Sequence, residues 1–335
     1  MHERQRRIFD LALPIIGGMV SQNVLNLVDL AMVGSLGDAA VAAIGVGSFA
    51  NFLATSFITG LSPGVQAMCS RRKGEGKLGE TALPLNGALV LAAAIALPAS
   101  AILFFLVPAF FPVLNPDPEV VANGVPYLQA RLVAMMAIGM NFSFRGYWNG
   151  VDLSKLYLRT LVFMHAANIV LNWVFIFGNL GAPELGAPGA GVASAIATYA
   201  GTGYYFILGR RHAKDAGFLR GLPERKTLGT ILRLGVPTGI QQFSFAAGYN
   251  ALFWILGHID YGSAGHSTAD VAAANAILNL QLVAILPGLG LGIAAATLVG
   301  QALGRKDPED AYRWAWDVAK VAAVVMFVLG LPMLL

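Results

Sequence analysis

Long apolar runs recur along almost the whole chain and constrain its fold more than any other feature. A membrane-spanning helix needs about 20 mostly apolar residues, and nine such runs are present. Only 12% of the 335 residues are charged, about half of the roughly 25% found in soluble domains. The sequence therefore predicts an all-α, polytopic membrane protein. The runs cover about 8–34, 40–68, 82–111, 121–148, 157–179, 188–209, 229–257, 271–300 and 313–335.

The first run follows a basic N-terminus, MHERQRR, in the manner of a secretory signal peptide. Its apolar residues continue past Ala31, however, without a small-residue cleavage site followed by a soluble domain. We therefore expect this run to remain in the protein as its first span. The single cysteine, Cys69, offers no disulfide framework of the kind that secreted scaffolds use.

Basic residues are concentrated in alternate breaks between the runs. The N-terminus and every second loop carry Lys and Arg, whereas the remaining loops carry none, and Arg131 is the one basic residue that breaks the pattern. Cytoplasmic loops of membrane proteins are enriched in Lys and Arg. The pattern predicts a cell inner membrane protein with a cytoplasmic N-terminus, and it groups Arg145 with the loop after the fourth run. Because topology explains the net charge of +4, no nucleic acid is expected as a partner.

The seventh run repeats the pattern of the first, and the eighth repeats the second. Pro14 aligns with Pro237, and Gly60 of the second run aligns with Gly290 of the eighth. Repeats of this kind are common in transporters, where two halves enclose a central binding site. Six runs precede the repeat and only three follow its start. Symmetry therefore calls for three further spans, so the sequence is either a fragment or a naturally short protein.

The repeat defines the expected organisation of the chain. We expect a two-lobe helical bundle in which the six-helix N-lobe is complete and three helices of the C-lobe are present. The long basic stretch after the sixth run joins the lobes. The expected units are the N-lobe at 1–212, a cytoplasmic linker at 213–228 and the partial C-lobe at 229–335.

Asp29 is the only acid well inside an apolar run. An acid at the centre of a membrane costs about 2.5–3.5 kcal/mol on insertion scales. Gln22, Asn26 and Asp29 are spaced four and three residues apart, so they share one face of a helix. We expect this face to point into the bundle, where the carboxyl group could take up a proton from one side and release it to the other. The alternative is a structural acid that only fixes helix packing through hydrogen bonds.

Other polar residues lie inside the apolar runs. Asn168 and Asn172 are four residues apart and either join neighbouring helices or bind a ligand. His165 is expected at the cytoplasmic interface. Arg131 either extends to the outer interface or forms an internal ion pair. Polar residues of the second half could line an opposite wall, and these are Gln241, Gln242, Tyr249, Asn275, Asn279 and Gln281.

Enzyme signatures occur only in the wrong context. GLSPG at Gly60–Gly64 fits the Gly-x-Ser-x-Gly pattern, but that pattern needs a strand–turn–helix, and here it lies in an apolar helix with a proline. PGLGLG at 287–292 lacks the strand and helix of a dinucleotide site. The sequence has no His-Glu-x-x-His motif and no Cys/His cluster for zinc. We expect a protein that is not an enzyme and that uses no cofactor or metal.

Seven stretches, in order and at matching spacing, resemble the MATE (multidrug and toxic compound extrusion) family. The resemblance implies twelve helices in two lobes around a central cleft, and the exchange of protons or sodium for small organic, often cationic and amphipathic, compounds. The family's first-helix acid lies fifteen residues after a proline, as Asp29 does after Pro14. The stretches are LALPIIGGMVSQNVLNLVDLAMVGSLG, YLQARL, RGYWNG, NIVLNWVFIFG, GAGVASAIATY, LRLGVPTGIQQ and LVGQALG.

This resemblance also implies roles for individual residues. Asp29 would be the proton-coupling acid, and Pro14 would be the point at which the first helix bends. The expected substrate- or ion-binding residues are the polar ones on the same helix face as Asp29 and those in the fifth run. They are Gln22, Asn26, Asn168 and Asn172.

Two departures from the family pattern bear on the coupling ion. Many members have an acid where this chain has Asn172, and sodium-type members have a Glu where it has Phe245. An Asn cannot titrate, so coupling would depend more heavily on Asp29, and protons are favoured over sodium. The expected function is an antiporter that exports organic cations. The alternatives are a flippase for lipid-linked intermediates, a non-transporting partner or fragment and, least favoured, an intramembrane enzyme.

Overall fold

The structure is a computed structural model that describes residues 3–258 and 268–331, and the side chains of 246 and 249–284 lie outside that description. The predicted loop around 259–267 and the end of the ninth run, 332–335, also lie outside it. The described residues form eleven α-helices and two short 3₁₀ turns, with no strand among them. The helices are α1 (Glu3–Gly34), α2 (Asp38–Thr59), α3 (Leu61–Gly74), α4 (Leu83–Leu114), α5 (Pro118–Val133), α6 (Met135–Gly150), α7 (Ser154–Phe177), α8 (Ala187–His212), α9 (Arg225–His258), α10 (Thr268–Gly304) and α11 (Pro308–Gly330).

These helices confirm the prediction of an all-α, polytopic bundle. Each apolar run corresponds to one helical rod within the described residues, but two of the rods are divided. The second run becomes α2 and α3, which meet at Gly60, and the fourth becomes α5 and α6, which meet at Ala134. Five rods in the described part of the chain are long and apolar enough by themselves to cross a membrane, and they lie at Glu3–Gly34, Asp38–Gly74, Leu78–Leu114, Ser154–Phe177 and Ile285–Gly304.

The junction of α2 and α3 is fixed by a close approach of α9. A Cβ atom on Gly60 would collide with the carbonyl oxygen of Gly235, and a Cβ on Gly235 would lie 2.8 Å from the carbonyl oxygen of Gly60. Only glycine, which has no Cβ, lets two backbones come this close. The two glycines therefore set the distance between the second rod and α9.

The buried apolar residues that the structure describes form two cores. The larger one extends from Val33 at the end of α1 to Ile231 in α9, and within it the ring of Phe144 stacks on Tyr205 with centroids 5.0 Å apart. The smaller one joins the first half of α1 to α10 and α11, and it includes Ile8, Ile15 and Trp314. Because α1 also packs along α7, it is shared by both cores. The division of the chain into two lobes stays a prediction.

Buried side-chain hydrogen bonds join α3 and α6 to α10. The Gln66 amide nitrogen donates to the carbonyl oxygen of Ile293 (2.7 Å) and to the hydroxyl of Thr297 (2.9 Å). Further along α10, the Gln301 amide nitrogen donates to the carbonyl oxygen of Gly150 (3.2 Å). Buried polar groups are stable only when they are paired in this way. These bonds therefore hold one end of the bundle together.

Asp152 is the common acceptor at that end, which we call the basic end because it carries the N-terminus and the Lys- and Arg-rich loops. The Asp152 carboxylate accepts from Lys73 (2.9 Å), Arg7 (3.3 Å) and Gln301 (3.0 Å). Its backbone has a φ of 66°, a conformation that Asp adopts more readily than most residues. One carboxylate thus links α1, α3 and α10 to the turn between α6 and α7.

The close contact of α6 with α3 leads to a stability prediction. A Cβ atom on Gly146 would collide with the backbone carbonyl oxygen of Ser62, which cannot rotate away, whereas nothing lies within 4 Å of one on Gly203. We expect Gly146→Ala to destabilise the protein by about 1–3 kcal/mol through overpacking. Gly203→Ala should be neutral or slightly stabilising, because Ala favours helix. Thermal unfolding of both purified variants measures this difference, and equal melting temperatures would contradict it.

Candidate functional site

A cavity of about 530 Å³ lies among α1, α2, α5, α6, α7 and α8, with Leu286 of α10 at its edge. Its volume falls within the range of about 300–1,000 Å³ that is typical of ligand sites. Gln22, Asn26 and Asp29 all line it, which confirms that this face of the first helix points into the bundle. The other polar and charged residues of the lining are Asn23, Ser48, Asn51, Thr55, Thr59, Arg131, Asn141, Arg145, Tyr157, His165, Asn168, Ser194, Thr198 and Tyr205.

Asp29 is held by the two asparagines of α7. The side-chain nitrogen of Asn172 donates to Asp29 Oδ1 at 2.6 Å. The Asn168 amide fits best with its nitrogen toward Asp29 Oδ1 (3.0 Å) and its oxygen accepting from the Ser194 hydroxyl (3.1 Å). Hydrogen-bond donors of this kind stabilise an ionised carboxylate inside a protein. Asn168 therefore lines the cavity, whereas Asn172 lies behind it as a buried partner of the acid.

The side-chain oxygen of Asn172 has a different environment from its side-chain nitrogen. Asn172 is fully buried, and its Oδ1 atom has no hydrogen-bond partner among the described residues. A buried acceptor without a donor is unfavourable. A protonated carboxyl group is a hydrogen-bond donor as well as an acceptor, so an amide turned toward the neighbouring Asp29 could pair with it in either protonation state.

Hydrogen bonds also connect the polar face of α1 to α7 through Asn26, Gln22 and His165. The Gln22 amide donates to the Asn26 side-chain oxygen at 3.2 Å, and the Gln22 oxygen lies 3.2 Å from Nε2 of His165. Because the Gln22 oxygen can only accept, Nε2 is the protonated nitrogen of the ring. His165 is buried and lines the cavity. The prediction that it lies at the cytoplasmic interface was therefore wrong.

Arg131 also points into the cavity, and its predicted extension to the outer interface was wrong. It is half-buried, and its Nε atom has no hydrogen-bond partner among the described residues. Its positive charge acts on Asp29, although the two side chains form no direct ion pair. The structure thus comes closer to the alternative of an internal pairing.

Arg145 is the second arginine of the lining, and it lies just before the loop after the fourth run, as predicted. It lies within α6, five residues before the helix ends at Gly150. Its guanidinium lies 5.5 Å from the centre of the Tyr157 ring and 5.4 Å from that of Phe142. Its orientation into the cavity depends on neighbouring helices and cannot be read from the apolar run.

On the second and sixth runs, the sequence pattern matched Asn51 to Gln281 through the repeat, which favours a cavity or packing role, but it did not single out Thr55, Ser194 or Thr198. Asn51 and Thr55 are four residues apart on α2, and Ser194 and Thr198 repeat that spacing on α8. This spacing places each pair on one helix face, and that signal could have found them. It was weak because single hydroxyl groups are common in membrane helices, where they bond to the backbone, as Thr55 and Thr198 do here.

Pro14, Gln241, Gln242 and Phe245 are not part of the cavity lining. Pro14 is buried inside α1, which continues through it without interruption. Phe245, Gln241 and Gln242 are exposed residues of α9, whereas the side chains of Tyr249, Asn275, Asn279 and Gln281 lie outside the described residues. No group of three or more His, Cys, Asp or Glu side chains that could hold a metal ion occurs in the described part of the chain.

Comparison with known proteins identifies the family to which the chain is similar. The family model MatE matches residues 14–174 and 237–335. The chain is 26% identical to the multidrug resistance protein NorM of Aliivibrio fischeri, and the match covers 99% of this chain and 70% of that protein.

Solved structures share the fold. A MOP superfamily transporter from Pyrococcus furiosus, described as having a binding pocket of reverse polarity, superposes with a TM-score of 0.85 at 23% identity, over 99% of this chain and 72% of that one. An outward-facing multidrug resistance transporter of the MATE family superposes with a TM-score of 0.81 at 23% identity, over 97% and 70%. Because the family model matches most of the sequence, the chain belongs to the MATE family, whose members are membrane transporters and not enzymes.

Proposed function

We propose that the protein is a secondary antiporter that exports small organic compounds in exchange for protons, with Asp29 as the proton carrier. The relative from Aliivibrio fischeri is named for multidrug resistance, which supports efflux of such compounds. The single observation that carries the proposal is that Asp29 is the only acidic side chain lining the cavity in the described part of the chain. The large apolar share of the wall suits amphipathic compounds.

The contacts of Asp29 supply a mechanism for exchange. While Asp29 is ionised, the Asn172 and Asn168 amides hold its charge through hydrogen bonds, and the carboxylate attracts a cationic group on a bound compound. Uptake of a proton removes the negative charge and therefore that attraction. Linkage between two bound species is reciprocal. A compound that lowers the proton affinity of Asp29 therefore binds more weakly once Asp29 is protonated. Competition of this kind is what antiport requires.

The neighbouring residues take supporting roles in this proposal. Gln22, Asn26 and Asn168 present amide groups to the cavity and would bind the polar parts of a compound, while Asn172 positions Asp29. Pro14 has no N–H to donate to the carbonyl oxygen of Asp10, one turn earlier, so α1 is weakest there. A bend at this point would move the Asp29 end of α1 relative to the basic end.

The coupling ion is a proton rather than sodium in this proposal. A bound metal ion needs several oxygen ligands around it, and the carboxylate would have to supply at least one with free lone pairs. Two amide nitrogens instead face Asp29 Oδ1, and donors at that atom compete with a cation for the same lone pairs. In the cell we place the protein in the inner membrane with the basic end in the cytoplasm, where Lys- and Arg-rich loops are retained. The lobes would be 1–212 and 229–335, joined by 213–228.

Replacing the acid tests the proposed role directly. We expect Asp29→Asn to abolish efflux of an organic dye driven by a proton gradient in proteoliposomes, while the protein still inserts and folds. The isosteric amide keeps the shape of the side chain but cannot take up a proton. Asp38→Asn is the matched control, because Asp38 is exposed in the first turn of α2 and lies outside the cavity lining. Full efflux by the Asp29→Asn protein would disprove the assignment.

The choice of ion gives a separate prediction. In proteoliposomes, a pH gradient alone should drive dye efflux, and a sodium gradient at equal pH on both sides should not. Transport is measured as dye accumulation with each gradient imposed in turn, using protein-free liposomes as the control. Sodium-driven transport of similar size would overturn proton coupling while leaving antiport intact.

A further inference from the structure

An open groove of about 440 Å³ lies at the basic end, between α4, α6, α8 and the connecting segment 213–224 that joins α8 to α9. Its described lining residues are all different from those of the central cavity. Val90, Leu219 and Leu222 line the groove and are exposed, so it opens toward the surroundings of the bundle. For a membrane transporter, the surroundings of an apolar groove on the outside of the helices are lipid.

The lining of the groove is almost entirely apolar. Asn86, near the start of α4, is its one polar residue. The Asn86 side-chain nitrogen donates to the carbonyl oxygens of Gly217 (2.9 Å) and Gly221 (2.7 Å). Its oxygen accepts from the backbone N–H of Leu219 (3.0 Å). Because the connecting segment uses the whole amide in this way, the groove itself presents hydrocarbon to a ligand.

The connecting segment holds two leucines at the edge of this groove. Leu219 has a left-handed backbone with a φ of 58°, a conformation that is unfavourable for residues with a Cβ atom. The hydrogen bond from its N–H to Asn86 holds it there, and strain of this kind often marks a functional position. Leu219 and Leu222 nevertheless remain exposed. Exposed apolar side chains around a concave surface indicate a binding partner that is itself apolar.

Two arginines border the apolar groove. Arg210 lies one helical turn after Phe206 on α8, so it extends the helix face that lines the groove. Arg220 lies between the two leucines in the sequence. Arg210 forms no ion pair within the described residues, and Arg220 lies 3.7 Å from Asp215, whose side chain is fully exposed. Exposed pairs of that kind are weak, so both guanidinium groups are available to an anion.

A hydrocarbon groove bordered by guanidinium groups matches a molecule with an apolar chain and an anionic head. Basic sites at the cytoplasmic ends of membrane helices bind anionic lipid headgroups, and an Arg fork fits the oxygens of a phosphate. We propose that the groove binds one acyl chain of an anionic phospholipid, whose phosphate is held by Arg210 and Arg220. A lipid bound there would fasten the connecting segment to α4 and α8. This inference does not depend on the proposed function.

Native mass spectrometry of the full chain in detergent tests the choice of lipid. The protein is titrated with dioleoyl-phosphatidylglycerol, which is anionic, and with dioleoyl-phosphatidylcholine, which has the same acyl chains and no net charge. We expect the wild-type protein to bind the first phosphatidylglycerol molecule about tenfold or more tightly than phosphatidylcholine, since each Lys or Arg near an anionic headgroup adds about a fivefold factor.

Two double variants separate a specific headgroup site from general charge attraction. Arg210→Gln combined with Arg220→Gln should reduce the preference for phosphatidylglycerol by about tenfold or more. Arg211→Gln combined with Arg225→Gln is the matched control, because it removes the same charge from exposed residues of the same region that do not line or flank the groove. The control protein should keep the preference of the wild type.

A second pair of variants tests the place of the acyl chain. Ala93 lines the groove, and Ala94 beside it is exposed and outside the lining. Ala93→Trp should fill the groove and weaken phosphatidylglycerol binding by about tenfold or more, because methylene groups of the chain lose their apolar contacts. Ala94→Trp should bind phosphatidylglycerol as the wild type does.

Four results would overturn the inference. Equal binding of the two lipids by wild-type protein would remove the anionic site, and equal losses in the two arginine double variants would leave only general charge attraction. Undiminished binding by Ala93→Trp would place the lipid outside the groove. A dimer in the same spectra that Ala93→Trp dissociates, without a preference between lipids, would assign the groove to a second copy of the chain. Because lipid binding is measured without transport, each result leaves the proposed antiport untouched.

Discussion

The hydrogen bond from Asn172 to Asp29 is the interaction on which the rest of the site depends. A carboxylate can remain inside an apolar bundle only where donors take the place of water, and α7 brings those donors to α1. The two helices can lie close together because Gly18 leaves room for the ring of Tyr157. The same packing leaves space on the other side of Asp29, where α2, α5 and α8 complete the cavity. The packing of α1 against α7 and the position of the cavity thus both follow from the need to pair the Asp29 carboxylate with donors.

Much of this arrangement is predictable from the sequence, because helical periodicity and apolar length are local properties. The nine runs and the shared face of Gln22, Asn26 and Asp29 follow from spacing alone. The inward positions of Arg131, Arg145 and His165 do not, because they depend on which face of α5, α6 and α7 is covered by neighbours. The division at Gly60 is likewise set by the α9 backbone, a tertiary contact that a single run cannot reveal.

The cavity also differs from the simplest expectation for an exporter of cations. One acid and two arginines share a mostly apolar wall. Asp29 has two amide donors beside it and the positive charge of Arg131 farther away, whereas the guanidinium of Arg145 lies over two aromatic rings. The opposite charges of Asp29 and Arg145 thus have different surroundings within one cavity.

The contact between Gly60 and Gly235 has a mechanical consequence. Backbone touches backbone at that point, and side chains pack on both sides of it: the Phe57 ring lies 5.8 Å from the Phe243 ring, and Gly64 lies against the side chain of Ile231. Packed side chains resist rotation because they must leave one set of grooves before they enter another. The two glycines therefore set how closely the second rod and α9 approach, and the neighbouring side chains hold the angle between them. A side chain added at either glycine would push the two backbones apart and would disturb both kinds of contact.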